Sequence, residues 1–130
     1  PSVVRKAAAL SEFVAADDAK SAVDAFNRVC NLAAKAESAN PDTRLFTQPI
    51  EEELYKIWER LHIVYNEKLQ GGQEAEALVE LTSLRDPVNR YFDAVMVMAE
   101  DLNVRAARLA LLKALAQDIQ RFADFSRIVW

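Results

Sequence analysis

Both glycines of this 130-residue chain stand side by side, at Gly71 and Gly72. With so few residues suited to left-handed backbone, the many tight hairpins of a sheet protein are out of reach, and long elements with few reversals are expected. The apolar residues agree. They recur at helical intervals, as in Val3, Ala7, Leu10, Phe13 and Val14, then Ala22, Phe26, Val29, Cys30 and Ala33. No stretch alternates with a period of two for long, and no internal repeat is present. At 52% hydrophobic residues, the chain suffices to bury one core.

Local signals then divide the chain into an all-α bundle of five or six helices. The first helix is expected over about 3–16. Asp17 or Asp18 would cap a second running to about Glu37, and Ser38-Ala39-Asn40-Pro41-Asp42-Thr43 reads as loop. A third helix starts near Pro49, at proline's favoured first-turn position, and Gly71-Gly72 stops it. Ile50, Leu54, Ile57, Trp58, Leu61, Val64 and Tyr65 form its apolar face. A fourth is expected from Glu74 to Leu84, with Leu78 and Leu81 inward, before Asp86-Pro87 restarts the chain. Val88, Tyr91, Phe92, Val95 and Met96 follow at helical spacing, and a break at about 101–103 precedes a last helix reaching towards Arg127. The last helix would turn Val104, Leu111, Leu112, Leu115, Ile119 and Phe122 to the core.

Catalytic patterns are missing from the sequence. One Cys and one His do not make the usual zinc set, and the lone cysteine excludes an internal disulfide and suits a reducing compartment. There is no glycine-rich phosphate loop and no Ser/His/Asp set at a recognisable spacing. His62 reads as a structural or surface residue, Cys30 as a buried inert thiol, and Met96 and Met98 as core fillers. Glu51, Glu52 and Glu53 suit the positive end of the third helix's dipole. No apolar run approaches the roughly 20 residues of a membrane span. The opening Pro1-Ser2-Val3-Val4-Arg5-Lys6 carries neither an initiator Met nor a signal-peptide pattern, so residues 1–130 read as one domain of a longer, cytoplasmic protein.

The net charge of −4 argues against a simple phosphate-gripping protein. Its layout is uneven. Residues 1–39 are balanced, residues 40–85 carry −4 and residues 86–104 carry −3, while residues 105–130 carry +3.

The stretch Leu84-Arg85-Asp86-Pro87-Val88-Asn89-Arg90-Tyr91-Phe92-Asp93-Ala94-Val95-Met96-Val97-Met98-Ala99-Glu100-Asp101 resembles the signature of glycyl-tRNA synthetase beta subunits. In that family a Leu-Arg-x-Pro-Val is followed by paired aromatics, Asp and Val-Met-Val-Met. Arg105-Ala106-Ala107-Arg108-Leu109-Ala110-Leu111-Leu112 and Phe122-Ala123-Asp124-Phe125-Ser126 continue the likeness in order, and Arg28-Val29-Cys30-Asn31-Leu32 is similar to an Arg-Val-x-Asn-Ile segment upstream. Together these cover nearly the whole chain, with residues 38–80 least constrained. Two positions depart: Asn27 stands where the family often has a basic residue, and Ala107 where it often has Asn.

The resemblance implies a DALR-like anticodon-binding helical bundle. Its partners would be glycine tRNA, the remaining domains and the alpha subunit of the synthetase, with no role for DNA or membrane. The parent enzyme would use ATP and Mg at a site elsewhere, and this domain would hold no cofactor and no catalytic residue. Glycine anticodons carry two cytosines, whose N4 amino groups Asp or Glu can accept from, while aromatic rings stack on any base. An acidic module with a small basic grip therefore suits the task. The implied RNA-binding residues are Arg28, Asn31, Lys35, Arg105 and Arg108. Arg28 and Lys35 would share one side of the second helix and grip phosphates, and Asn31 would bond a base or brace a neighbouring helix. Arg105 and Arg108 lie where the last helix begins and its dipole favours an anion. Arg105 has an alternative partner in Asp101, and Arg108 falls near the core face, where a structural pairing with Asp93 is the alternative. Tyr91 and Phe92 are expected to divide between core and surface, and Phe125 and Trp130 to offer docking surfaces to the rest of the enzyme. The rival reading is a helical protein–protein interaction module that never touches RNA, with the acidic middle in its favour. An arginyl-type synthetase is opposed by the Val-Met-Val-Met block, and an independent enzyme by the missing catalytic set.

Overall fold

The computed structural model describes residues 2–16 and 18–128. Its helices are α1 (Ser2–Val14), α2 (Ala19–Ala33), α3 (Pro49–Gln70), α4 (Glu74–Thr82), α5 (Arg85–Ala94) and α6 (Leu102–Phe122). Single 3-10 turns occupy Thr43–Leu45 and Phe125–Arg127, and there is no strand among the described residues. The all-α bundle expected from periodicity is what forms.

The boundaries follow local chemistry. Pro49 opens α3, while the Glu51 carboxylate accepts from the backbone N–H groups of Thr47 and Gln48, at 2.8 and 2.9 Å, ahead of the first turn. Gly71 ends α3, and Gly72 takes the positive φ of 75° that a side chain would resist. The Asp101 side chain accepts from the N–H groups of Asn103 and Val104 and starts α6. Asp18 stands at the cap position of α2 without a side-chain capping bond, its carboxylate accepting instead from Arg85 Nη1 at 2.9 Å, and Asp17 lies outside the described residues.

Three boundaries differ from expectation. α2 stops at Ala33 rather than Glu37, because Lys35 and Ala36 donate to Leu32 and Ala33 in tight three-residue turns instead of continuing the helix. α5 stops at Ala94, where Val95 takes extended backbone and burial then alternates from residue to residue. Val95 and Val97 therefore turn inward while Met96 and Met98 turn out, so the methionines are not core fillers. α6 stops at Phe122 rather than near Arg127: Ala123 is extended, Asp124 caps a new turn, and Phe125 folds back.

α6 is the central element. Twelve of its 21 residues are buried, too many for a single core-facing stripe. It packs along α2 and also meets α3 and α4. Val104, expected in the core, is only half-buried near its start. At its other end Phe125 closes an aromatic cluster, 5.1 Å from Phe26, 6.4 Å from Phe13 and 6.3 Å from Phe122 between ring centres. Phe125 is thus a core residue and not a docking surface; Trp130 lies outside the described residues. Tyr91 and Phe92 do not divide between core and surface, since both are buried.

Candidate nucleic-acid interface

Arg28 lies on α2 where that helix meets α5. Its guanidinium carbon sits 4.1 Å above the centre of the Phe92 ring, so the residue shields the ring while remaining exposed itself. Guanidinium stacking of this kind fixes a long side chain without neutralising it. Asn31, one turn on, is exposed beside Ile119 and Gln120 of α6. Lys35 is exposed in the turns beyond the end of α2, so it does not share a helical face with Arg28.

The two arginines of α6 behave differently from each other. The half-buried Arg105 donates from Nε to the Ala99 carbonyl at 2.8 Å, tying down the 95–101 connection. Asp101 is occupied with capping α6 rather than with Arg105. Arg108 is 6% exposed, and its guanidinium is fully engaged: Nε donates to Glu51 Oε1 at 2.9 Å, Nη1 to the Met96 carbonyl at 2.7 Å and Nη2 to Thr47 Oγ1 at 3.1 Å. Its partner is Glu51 and not Asp93, which is exposed. Burial pushes the Glu51 carboxyl up, but the hydrogen bonds from Arg108, Gln48 and Thr47 outweigh it and hold its pKa below the ordinary value. Glu51 is thus more than a charge at a helix dipole. It joins α3, α6 and the 95–101 segment.

The five residues do not form one patch. Asn31 adjoins α6 at Ile119, 14 residues beyond Arg105, which is about 20 Å of helix. One group lies along α2, and the other holds the start of α6.

A hub that the sequence reading missed surrounds Asp118, which is 1% exposed. Trp58 Nε1 donates to it at 2.9 Å, Arg121 Nη1 at 3.0 Å, and His62 Nδ1 lies 2.7 Å away. Tyr65 donates its hydroxyl to the Asp118 backbone carbonyl at 2.7 Å. His62 is therefore structural, as expected, although its partner came from 56 residues away. The one available signal was Asp118 itself, an acid placed between Leu115 and Ile119 on an apolar helix. Cys30 is half-buried; burial and nearby Asp124 push its thiol up to about 11, in keeping with an inert side chain.

Among the described residues, no group of three or more His, Cys, Asp or Glu side chains is placed to hold a metal ion, and no helix is long and apolar enough to cross a membrane. The architecture is an all-α helical bundle braced by buried polar anchors. The DALR anticodon binding domain matches residues 23–124, which include all five candidate residues, and the chain belongs to that family. It is similar to the glycine–tRNA ligase beta subunit of Geobacter metallireducens, 42% identical over 93% of this chain. The corresponding proteins of Trichlorobacter lovleyi and Clostridioides difficile are 39% and 38% identical over 92% and 96% of it. The chain spans 18% of the length of each of these relatives.

Proposed function

We propose that this domain binds the anticodon of glycine tRNA within a glycine–tRNA ligase whose ATP- and Mg-dependent chemistry takes place elsewhere in the enzyme, in contact with the other domains and the alpha subunit. The observation that carries this reading is the family match over residues 23–124 of this all-α fold. The exposed Arg28 and Asn31 supply contacts along α2 and Lys35 one just beyond its end, and Arg105 adds a cation where α6 begins. Arg108 is a positioning residue in this scheme, because its guanidinium is turned to Glu51, Met96 and Thr47. No cofactor is required for recognition.

Binding of glycine tRNA, compared with the same tRNA carrying replaced anticodon cytosines, tests the reading across a salt series. The altered tRNA is expected to bind more weakly, and affinity to fall with salt by about 0.7–0.9 log units per log unit for each phosphate neutralised. Equal, salt-insensitive binding of both RNAs would refute it. A protein-binding module has one observation in its favour: Met96 and Leu102 are 72% and 70% exposed beside the start of α6. That module would bind neither RNA.

A further inference from the structure

Lys20, Asp24 and Arg28 follow one another at four-residue spacing and so share a side of α2. With Ser21, Ala25 and Asn89 of α5 they line an open cleft along the α2–α5 seam. Arg28 is its wall: its guanidinium carbon lies 4.1 Å over the Phe92 ring, and the residue is exposed to solvent. Among the described residues, no side-chain hydrogen bond or ion pair engages Lys20, Asp24, Arg28 or Asn89. Asp24 and Arg28 carry opposite charges one helical turn apart, yet they do not pair, because Arg28 is held on the ring.

We infer that this cleft is a subsite for a single unpaired base bearing an exocyclic amino group, cytosine in the anticodon, with Arg28 as its stacking platform and Asp24 as the acceptor of the amino proton. The inference rests on the anticodon reading above and assigns it a place. A planar guanidinium backed by an aromatic ring is a surface on which a base can lie. An ionised carboxylate accepts only, so it matches the N4 amino group of cytosine and opposes the O4 carbonyl of uracil. Asn89 can donate to the ring nitrogen and carbonyl on the remaining edge of the base, and Lys20 supplies a charge for the adjoining phosphate. Arg28 thus acts through its flat face, and its charge also offsets the carboxylate beside the RNA backbone.

The test uses the chain and its Asp24→Asn and Arg28→Lys variants with two RNAs, the glycine anticodon stem-loop and its counterpart with anticodon cytosine replaced by uracil. Binding is followed by amide chemical shifts up to millimolar RNA, so that weak complexes register. The wild-type chain is expected to favour the cytosine RNA by about tenfold. Asp24→Asn should bring the two affinities within about twofold or reverse their order, since an amide can donate to O4. Arg28→Lys keeps the charge and loses the plane; it should weaken both RNAs by about five- to tenfold with the ratio unchanged. If the wild type discriminates but Asp24→Asn leaves the ratio as it was, the subsite is wrong and anticodon reading stands. If the wild type binds neither RNA, or both alike, anticodon reading itself fails and the subsite with it.

Discussion

Glu51 and Arg108 meet at 2.9 Å with both side chains out of water, across 57 residues of sequence. The pair clamps the start of α6 to the start of α3, and through the Met96 carbonyl it also fixes the 95–101 connection. Removing one partner leaves the other charged and buried, so Glu51→Leu and Arg108→Met should each cost about 3–5 kcal/mol. The double change to Glu51→Leu with Arg108→Met should cost much less than the sum, because apolar replacement of a whole buried pair is often near neutral. Urea unfolding midpoints of the four proteins check this, and additive losses would contradict the coupling.

The same pair makes a statement about acid. The folded pKa of Glu51 lies below the ordinary 4.5. A carboxyl depressed in the folded state contributes stability that is present above the unfolded value and lost as pH falls through the folded one. Wild-type stability should therefore drop as pH goes below about 4.5, and Glu51→Gln should drop less steeply over the same window. Parallel pH profiles for the two proteins would remove Glu51 from the acid response.

How far the sequence disclosed this depended on the range of each cause. Pro49, Gly71-Gly72 and Asp101 act within a turn of themselves, and each marked its boundary correctly. Helical phase marks Arg108 as a core arginine, but Asp93 and Glu51 both lie on other helices, and only the packing of α3 against α6 makes Glu51 its partner. Val95-Met96-Val97-Met98 fits either period when read alone, and only the end of α5 at Ala94 makes alternate residues face outward. The stacking of Arg28 on Phe92 joins α2 to α5 in a way that neither segment displays by itself.

Tyr91 offers a contrasting prediction. Its hydroxyl is buried and has no hydrogen-bond partner among the described residues, and burial with nearby Glu51 pushes its pKa well above the ordinary range. An unsatisfied buried hydroxyl costs free energy, so Tyr91→Phe should leave stability unchanged or raise it by up to about 1 kcal/mol. A thermal midpoint lowered by the equivalent of about 1 kcal/mol or more would show that the hydroxyl is bonded in solution.

Asp118 should behave in the opposite way. Its carboxylate accepts from Trp58 and Arg121 and adjoins His62, and an amide in its place would turn an NH2 group towards these donors. Asp118→Asn should cost about 2–3 kcal/mol, as expected for hydrogen bonds to a charged group. Trp58 lies 4.9 Å from the His62 ring, so its fluorescence should change with the loss of order. Unchanged stability and emission would show that the hub is not formed.

Cys30 gives a kinetic measure of the α2–α6 packing. The thiol is half-buried close to Asp124, and it is pushed from an ordinary 9.0 to about 11. Because the thiolate is the reacting species, only about one molecule in a thousand is reactive at pH 8, against roughly one in ten for an unperturbed thiol. Alkylation by iodoacetamide should accordingly run about 100-fold slower in the folded chain than in urea. Phe125→Ala should recover much of that rate, since Phe125 shares the cleft beside Cys30 and anchors the turn that Asp124 caps. A folded wild-type chain alkylated as fast as the unfolded one would show that the α2–α6 seam opens readily.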